Sequence, residues 1–341
     1  MTCKVGIAGY GVVGKKRHTA IKKISDFEVI ALSDKNFKDK TELSEFKCYS
    51  DFRDLIDFEE IDVIFISLPN NLAAEATLKA LKKGIHVFCE KPPAKSLNEL
   101  LPIKNQIKDS NLRLMYGFNH RFHLSVIKAK QIIDDKTLGK VINLKGTYGK
   151  SKMITFNQTD WRTERKKSGG GILLDQGIHM LDLMNYFEGG FNKIFSIIKN
   201  SFWNFDVEDN AFILMENDNG IVAQLHSSAT QWRHTFNLEI TLEKGSLLLE
   251  GILTGSKSYG NETLKIIFSD PDGDKGKPEE KILSFDEDLS WDLEVLYFTD
   301  AIRNSANILN GSIDQAIEIM DLIERIYKSD KDWKQKYYQH D

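Results

Sequence analysis

Three glycines near the start of the chain constrain its fold more than any other feature. Gly9, Gly11 and Gly14 follow a short apolar run, Lys4 to Ala8, and precede a helical pattern that starts at Val13. At this spacing the first glycine permits a tight turn, the second lets the backbone approach a pyrophosphate, and the third lets the helix pack on the strand. The motif therefore predicts the first strand, turn and helix of a dinucleotide-binding fold, with the helix N-terminus facing the phosphates.

An acidic residue lies where such a fold requires one. Asp34 ends a second apolar run, Phe27 to Ser33, twenty positions after Gly14. A carboxylate at this point accepts hydrogen bonds from the ribose hydroxyls of the cofactor and repels a 2′-phosphate. NAD is therefore the predicted cofactor, with NADP as the alternative because Lys35 follows directly. A purely structural βαβ turn is the alternative to a cofactor site.

Strand and helix patterns alternate as far as residue 121. The β-branched run from Ile61 to Leu68 is typical of a strand buried on both faces of a parallel sheet. A helix is predicted from Ser96 to Asp109, with Ser96 as N-cap and Glu99 as its capping-box partner. The alternation predicts an α/β Rossmann domain with a doubly wound parallel sheet over residues 1–121.

The pattern changes beyond Arg121. Strand-like segments between Lys193 and Phe268 are separated by turns, as in an antiparallel meander, and two helices follow, the second capped by Ser312. The polar stretch from Ser269 to Lys281 is interpreted as a solvated turn. Residues 122–341 are thus the predicted second domain, an α+β domain built on a largely antiparallel open sheet, which binds the substrate and supports oligomerisation.

The composition excludes several classes of protein. The formal net charge is −4 and the basic residues are spread along the chain, so no nucleic-acid partner is expected. The three cysteines are too few for a disulfide framework and lack the spacing of a metal site, which fits a reducing compartment. No apolar run approaches the length of a membrane span, and Met1 leads straight into the first strand. We therefore expect a cytoplasmic protein without a membrane partner.

Lys91 is the first candidate for chemistry. It directly follows a predicted buried strand, at the sheet edge where ligands bind in such folds. Most loop lysines are simply solvated, but Glu90 and the Pro92-Pro93 pair restrict this turn and the direction of the side chain. A lysine held in this way can donate or accept a proton.

Asp175 and His179 are the second candidates. They are four positions apart on a helix opened by Gly169-Gly170-Gly171, so they share a face. An exposed pair is the ordinary alternative, but this helix is apolar nearly all round, which favours a pair at a pocket wall. Asp182 raises a metal site as a further alternative. Because no cysteine or second histidine joins these residues, no metal is predicted.

Taken together, these motifs resemble those of the Gfo/Idh/MocA oxidoreductases, named for glucose-fructose oxidoreductase and inositol dehydrogenase. The order and spacing match along nearly the whole chain. One departure is Ala73, where many members carry a histidine after Pro-Asn. The matching segments are the glycine motif at Gly9, Gly11 and Gly14, then Glu90-Lys91-Pro92, Gly117-Phe118-Asn119-His120-Arg121-Phe122, Asp160-Trp161-Arg162 and the stretch from Gly169 to His179.

The resemblance implies redox chemistry on a sugar or polyol. Lys91 would be the catalytic lysine, and Asp175 and His179 would be the acid/base pair. Oxidation of a secondary alcohol requires a group that removes the hydroxyl proton as hydride leaves for the nicotinamide. We expect Lys91 and His179 to flank the reacting oxygen and Asp175 to orient His179. Which of the two takes the proton stays open, and a non-catalytic NAD-binding regulator is the alternative function.

The predicted site residues fall into two further groups. The predicted cofactor-binding residues are Gly9, Gly11, Val12, Val13, Gly14, Asp34, Pro69, Asn70, Glu90 and Lys91. The predicted substrate-binding residues are Asn119, Arg121, Trp161, Arg162, Asp175 and His179.

Two predictions concern partners. A cationic run, Arg162, Arg165, Lys166 and Lys167, favours a nucleotide-linked or otherwise anionic sugar, although solvated loop charges and a neutral polyol or free aldose are nearly as well supported. The apolar segments of the second sheet exceed what one helix layer covers, which predicts a homodimer or homotetramer. Family members often assemble through this sheet, so the resemblance implies the same.

Overall fold

A computed structural model describes residues 2–37, 44–153, 160–255, 257–270, 272 and 278–338. The strands are β1 (Cys3–Ala8), β2 (Phe27–Ser33), β3 (Lys47–Tyr49), β4 (Val63–Ile66), β5 (His86–Glu90), β6 (Leu114–Gly117), β7 (Val141–Gly149), β8 (Phe191–Lys199), β9 (Asn210–Asn217), β10 (Val222–Ser228), β11 (Thr235–Leu242), β12 (Gly245–Glu250), β13 (Glu262–Phe268) and β14 (Glu280–Phe285). The α-helices are α1 (Val12–Ile21), α2 (Phe52–Phe58), α3 (Asn70–Lys82), α4 (Leu101–Ile107), α5 (Leu124–Asp134), α6 (Arg165–Ser168), α7 (Ile178–Glu188), α8 (Ser290–Arg303), α9 (Ile313–Ser329) and α10 (Lys331–Tyr337).

The chain divides into two compact units. The first comprises Met1–Asn119, Lys166–Gly169 and Ser290–Met320, and the second comprises His120–Arg165, Gly170–Leu289 and Asp321–Asp341. The units are defined by spatial contacts. After residue 121 the chain therefore enters the first unit again twice, at Lys166–Gly169 and at Ser290–Met320. The domain boundary predicted between residues 121 and 122 stays a prediction. No helix among the described residues is long and apolar enough to span a bilayer.

The first unit is built on a six-stranded parallel sheet. Its order is β3-β2-β1-β4-β5-β6, the arrangement of a Rossmann fold. The side chains of β4 are fully buried because both faces of the sheet are covered. On one face Phe65 stacks on Phe88 at 5.1 Å, and Phe298 of α8 packs edge-on against both rings. The predicted doubly wound parallel sheet is confirmed.

The predicted helix from Ser96 to Asp109 is wrong in its first turns. A 3₁₀ turn, Leu97–Glu99, precedes α4, and Pro102 lies in the first turn of that helix. Proline has no N–H to donate, so it favours the start of a helix over its interior. The capping box is also absent: the Ser96 side chain forms no capping bond, and Glu99 Oε2 accepts from Lys95 N at 3.1 Å.

The second unit is built on an eight-stranded sheet. Its order is β14-β13-β12-β11-β7-β10-β9-β8, and all neighbours are antiparallel except β7 and β10. The largely antiparallel open sheet is confirmed, but a simple meander is not, because the earliest strand lies in the middle. Ser312 caps α9 as predicted, since its hydroxyl accepts from Gln315 N at 3.3 Å.

The two faces of the second sheet differ. The inner face is buried, and α7 packs on it so closely that a side chain at Gly146 would meet Met184 Cε at 2.7 Å. The outer face of β8, β9 and β10 carries exposed apolar side chains, which we call the outer patch. Its members are Phe195, Ile197, Phe212, Leu214 and Val222. Alternation along each strand therefore leaves apolar surface on both faces at this edge.

Candidate functional site

The glycine turn of the first unit has the geometry that its sequence predicts. Gly9 has a φ of +89°, and an added Cβ would lie 2.3 Å from Ser67 O. At Gly14 the added Cβ would lie 2.0 Å from Gly9 O, so only glycine lets α1 start this close to the strand. At Gly11 no atom of the described residues lies within 4 Å of the added Cβ. Of the three glycines, Gly11 is thus the one that packing against this part of the chain does not explain, and its open side suits a ligand.

The start of α1 and the end of β2 supply the polar groups of a dinucleotide site. Gly11 is the N-cap of α1, and no side chain among the described residues caps it, so the first N–H groups, from Val12 and Val13 onward, suit an anion. The carboxylate of Asp34 accepts from Tyr10 N at 3.0 Å and from Asn36 N at 2.9 Å, which fixes its direction. These residues fit a dinucleotide cofactor.

The ends of β4 and β5 position four more of the predicted residues. Pro69 is the N-cap of α3, and Asn70 Nδ2 donates to Ser168 O at 2.7 Å. Glu90 ends β5 and accepts from Arg17 Nε at 2.6 Å, and Lys91 follows as a partly buried residue. The side chains of Asn70 and Glu90 are therefore engaged by the protein itself.

A buried charge network holds Glu90. Arg17 lies in α1, is fully buried and pairs with both Glu90 and Glu294, the latter at 2.5 Å. Its guanidinium is also 4.4 Å from the ring centres of Phe88 and of Trp291. Burial alone would lower the pKa of Arg17, but the two carboxylates outweigh it and raise the pKa, so the arginine stays charged. The residue before Lys91 is thus held in place.

In the second unit Asp175 lies at the centre of a group of charges. Its carboxylate is 3.0 Å from Lys150 Nζ and 3.5 Å from Arg162 Nε. Arg162 in turn lies over the ring of Trp161 at 4.4 Å, in the 3₁₀ turn Asp160–Thr163. The structure therefore brings together three predicted residues and adds Lys150, which the sequence interpretation missed. Its position directly after β7 was the available signal, because ligands often lie at strand ends.

His179 lies in a stack of aromatic groups. The residue is buried, and its ring is 3.7 Å from that of His120 with an interplanar angle of 14°. His120 Nε2 is 3.0 Å from the hydroxyl of Tyr148, whose pKa is raised by burial. Close to this group, Gln176 Nε2 donates to the hydroxyl of Tyr259 at 2.5 Å. His120 belonged to a matching motif, but nothing in its spacing indicated that it would stack on His179.

The helix that carries Asp175 and His179 is not a plain α-helix. Residues Leu173–Gly177 form a π turn, and α7 begins only at Ile178. The two residues therefore belong to different helix types, and the α-helical rule that residues four apart share a face does not describe their relation. Such π turns occur frequently at functional sites.

Two other predicted substrate residues are engaged in internal contacts. Arg121 pairs with Asp182 through Nε at 2.9 Å and Nη2 at 2.6 Å, and both side chains are buried. In the first unit, Asn119 Nδ2 donates to Ser290 Oγ at 3.2 Å. No group of three or more His, Cys, Asp or Glu side chains in the described ranges is arranged to hold a metal ion.

The predicted cationic run is not one surface. The Arg165 guanidinium lies 4.2 Å from the ring centre of Tyr337 and donates to the Tyr338 hydroxyl at 3.0 Å. Lys166 and Lys167 are exposed. Arg165 is therefore used in packing, Arg162 pairs with Asp175, and Lys166 and Lys167 face solvent as the anion prediction requires.

Comparison with protein families identifies both parts of the chain. Residues 3–118 match the oxidoreductase family model described as an NAD-binding Rossmann fold, and residues 126–248 match the GFO/IDH/MocA C-terminal domain. The N-terminal part is thus an NAD-binding Rossmann domain.

Curated relatives align over part of their length. Levoglucosan dehydrogenase of Pseudarthrobacter phenanthrenivorans is 33% identical over 150 residues, which cover 44% of this chain and 38% of that protein. Glucose-6-phosphate 3-dehydrogenase of Bacillus subtilis is 31% identical over 193 residues, or 55% of each chain. The chain therefore spans about half the length, or less, of these relatives.

Solved structures align over nearly the whole chain. A levoglucosan dehydrogenase in complex with NADH and levoglucosan gives a TM-score of 0.86 at 21% identity and covers 98% of both chains. At this identity the likeness establishes a shared fold.

Proposed function

The chain belongs to the GFO/IDH/MocA oxidoreductase family, and from that premise we propose that it is an NAD-dependent dehydrogenase. The reaction is the interconversion of a secondary alcohol and a ketone on a sugar or polyol. The observation that carries this proposal is the environment of Asp175 and His179. A carboxylate held by Lys150 and a buried histidine stacked on His120 lie along one helix that starts with a π turn. Titratable groups in such settings are typical of active sites.

The chemistry follows from these groups. The glycine turn and Asp34 would hold NAD, which would supply the hydride acceptor for the carbinol carbon. The hydroxyl proton moves to Lys91 Nζ or to an imidazole nitrogen of His179, whichever is unprotonated. Asp175 serves to orient His179, and the ion pair with Lys150 keeps that carboxylate in place. In the reverse direction the same groups return the proton to the ketone oxygen.

Substitution of the two proton carriers tests this mechanism. Lys91→Ala and His179→Ala should each lower kcat by about a hundredfold or more, the usual range for lost acid/base groups, with little change in NADH affinity. Asp175→Ala should cost less because it acts through His179. His86→Ala is a matched control, since His86 begins β5 while Lys91 follows its end. Near-normal rates in both of the first two variants would refute the roles, and a wild type without turnover would favour the NAD-binding regulator.

For the substrate we place a neutral sugar or polyol ahead of an anionic sugar. The two curated relatives are named for one neutral sugar and one sugar phosphate. Anion binding was predicted from a run in which Arg165 now serves packing. The second candidate, an anionic sugar, is favoured by the excess of Lys150 and Arg162 over the single charge of Asp175.

NADH formation with levoglucosan, inositol and glucose 6-phosphate separates the two candidates. A neutral substrate predicts that kcat/KM is insensitive to salt and to the Lys166→Gln/Lys167→Gln double substitution. An anionic substrate predicts that both treatments raise KM. If glucose 6-phosphate alone is turned over and its KM rises in this way, the neutral assignment is wrong.

We further propose that the protein is a homodimer or homotetramer that buries the outer patch. Its side chains are large and well exposed, 63% for Phe195 and 49% for Leu214, and apolar patches of this kind mark interfaces. Light scattering at micromolar concentration should show an oligomer, and Leu214→Glu should shift it towards the monomer. A wild type that is monomeric at that concentration would refute the proposal.

A further inference from the structure

A buried carboxylate outside the proposed catalytic set holds the start of the helix that carries Asp175. The side chain of Glu208 is fully buried. Its Oε2 accepts from Gly171 N at 2.8 Å and its Oε1 accepts from Leu173 N at 3.0 Å. In addition, Ile172 N donates to the backbone oxygen of Glu208 at 3.1 Å. One residue thus binds three successive N–H groups at the helix start.

This arrangement replaces a local helix cap. No side chain caps the π turn from its own N-terminal end in the described chain. The carboxylate of Glu208 takes that part from a distant position in the sequence, because an anion is favoured where unpaired N–H groups converge. The connection continues to the site, since Asp175 N donates to Gly171 O at 2.8 Å. The position of Asp175 therefore depends on where Glu208 holds Gly171.

The glycine run is explained by the same contacts. An added Cβ at Gly171 would lie 2.1 Å from Glu208 O, and one at Gly170 would lie 2.3 Å from the Tyr327 hydroxyl. Side chains at these positions would push the backbone away from Glu208. Two glycines of the run are thus required by packing against the protein.

The C-terminal helices complete the network. The hydroxyl of Tyr327, in α9, donates to Glu208 Oε1 at 2.8 Å. Burial raises the pKa of Glu208, and the Tyr327 hydroxyl and the charge of Arg165 act against that rise. Because the surrounding groups all donate, the ionised form is the one that they suit, since an ionised carboxylate only accepts. Arg165 in turn is held over Tyr337 at the end of α10.

We propose that Glu208 is a positioning residue for the proposed reaction: it fixes the π turn that carries Asp175, and α9 stabilises it there through Tyr327. The inference rests on the proposed dehydrogenase function for its kinetic consequence. Its structural part, that Glu208 protects the amides of residues 171–175, stands without any turnover.

The test compares Glu208→Gln with Asp209→Asn. Both residues are buried, and Asp209 also accepts from backbone N–H groups, those of Ser201, Phe202 and Trp203, in a loop rather than at this helix. Glutamine keeps the shape of Glu208 but turns an N–H₂ group towards at least one donor. We expect Glu208→Gln to lower kcat by about tenfold or more through misplacement of Asp175, with NADH affinity within about twofold of the wild type. Asp209→Asn should leave kcat unchanged.

Hydrogen exchange separates failure of this inference from failure of the proposed function. In Glu208→Gln the amides of residues 171–175 should exchange faster, whereas in Asp209→Asn the faster amides should be those of residues 201–203. If Glu208→Gln does not fold, Tyr327→Phe gives the same readouts with a smaller change in kcat, about twofold to fivefold. Unchanged exchange at 171–175, or an unchanged kcat in a folded Glu208→Gln enzyme whose wild type is active, would overturn the inference.

Discussion

Two glycine-rich helix starts have different structural roles in this protein. In the first unit the glycines are spaced, and Gly11 has open space where its side chain would be. In the second unit the glycines are consecutive, and side chains at Gly170 and Gly171 would collide with Tyr327 and Glu208. The spaced motif leaves room for a ligand, whereas the consecutive run makes room for the protein's own groups.

The difference shows which glycines of a motif indicate a ligand. Gly9 and Gly14 are required by the backbone oxygens of Ser67 and of the turn itself, and Gly170 and Gly171 are required by Tyr327 and Glu208. Gly11 has no such contact with the described residues. A glycine pattern therefore predicts a ligand site only when one of its members has no partner in the protein.

The largest expected effect is a contrast between alanine substitutions in the two regions. Gly171→Ala should reduce the free energy of unfolding by about 3 kcal/mol or more, because its Cβ meets a backbone oxygen that cannot move aside. Gly11→Ala should reduce it by less than about 1 kcal/mol but weaken NADH binding by about tenfold, because its Cβ would enter the space proposed for the pyrophosphate. Denaturant unfolding and NADH titration measure both. Equal losses of stability in the two variants would contradict the different roles of the two glycine motifs.

Substitution of Asp34 tests cofactor binding in the first unit. Asp34→Ala should weaken NADH binding by about tenfold and improve NADPH binding, because in the proposed site the carboxylate would accept from the ribose and would repel a 2′-phosphate. Stability should change little, since Asp34 is partly exposed. Fluorescence titration with both nucleotides is the measurement. If the wild type already binds NADPH more tightly and the substitution does not help NADPH, the assignment of NAD preference fails.

A double-mutant cycle tests the packing of the consecutive glycines in the second unit. Gly170→Ala places a methyl group against the Tyr327 hydroxyl, so removal of that hydroxyl in Tyr327→Phe should relieve part of the cost. We expect a favourable coupling of about 1 kcal/mol in the free energy of unfolding, within the range for residues in contact. Additive effects would show that the collision is relieved in another way.

The smallest expected effect concerns acid stability in the second unit. Burial alone would raise the pKa of Asp209, but hydrogen bonds from Ser201, Trp203 and Phe202 outweigh it and lower the pKa. Because the folded pKa lies below the unfolded one, the stabilisation is present above the unfolded pKa and is lost as the pH falls through the folded pKa. Thermal unfolding from neutral to acidic pH should therefore depend less on pH in Asp209→Asn than in the wild type. An unchanged pH profile would assign the acid sensitivity to other groups.

Much of the fold was predictable because its signals are local. β4 lies within the strand predicted from Ile61 to Leu68, and the glycine turn lies where the motif placed it. Ser312 caps α9 through a hydroxyl three residues from its donor. In each case the signal is a residue type or a pattern within a few neighbouring positions of the sequence.

The features that the sequence did not predict depend on residues that are far apart in the chain. The π turn before His179 is held by Glu208, which no pattern in residues 169–179 reveals. β14 begins at Glu280, inside the stretch interpreted as a solvated turn, part of which lies outside the described residues. Backbone pairing with β13 holds β14 as a strand although its sequence is largely polar. Likewise the stack of His120 on His179 arises only when two separate segments meet.

The central position of β7 has a consequence for the order of events during synthesis. Its two neighbours in the sheet are β10 and β11, and neither follows it directly in the chain. At about 5–20 residues per second, the ribosome completes β7 several seconds before β10, which ends roughly eighty residues later. During that interval a long strand with apolar side chains has two open edges, the condition that favours wrong pairing between chains. The yield of soluble protein should therefore depend more on β10, which closes this gap, than on β14 at the margin of the sheet.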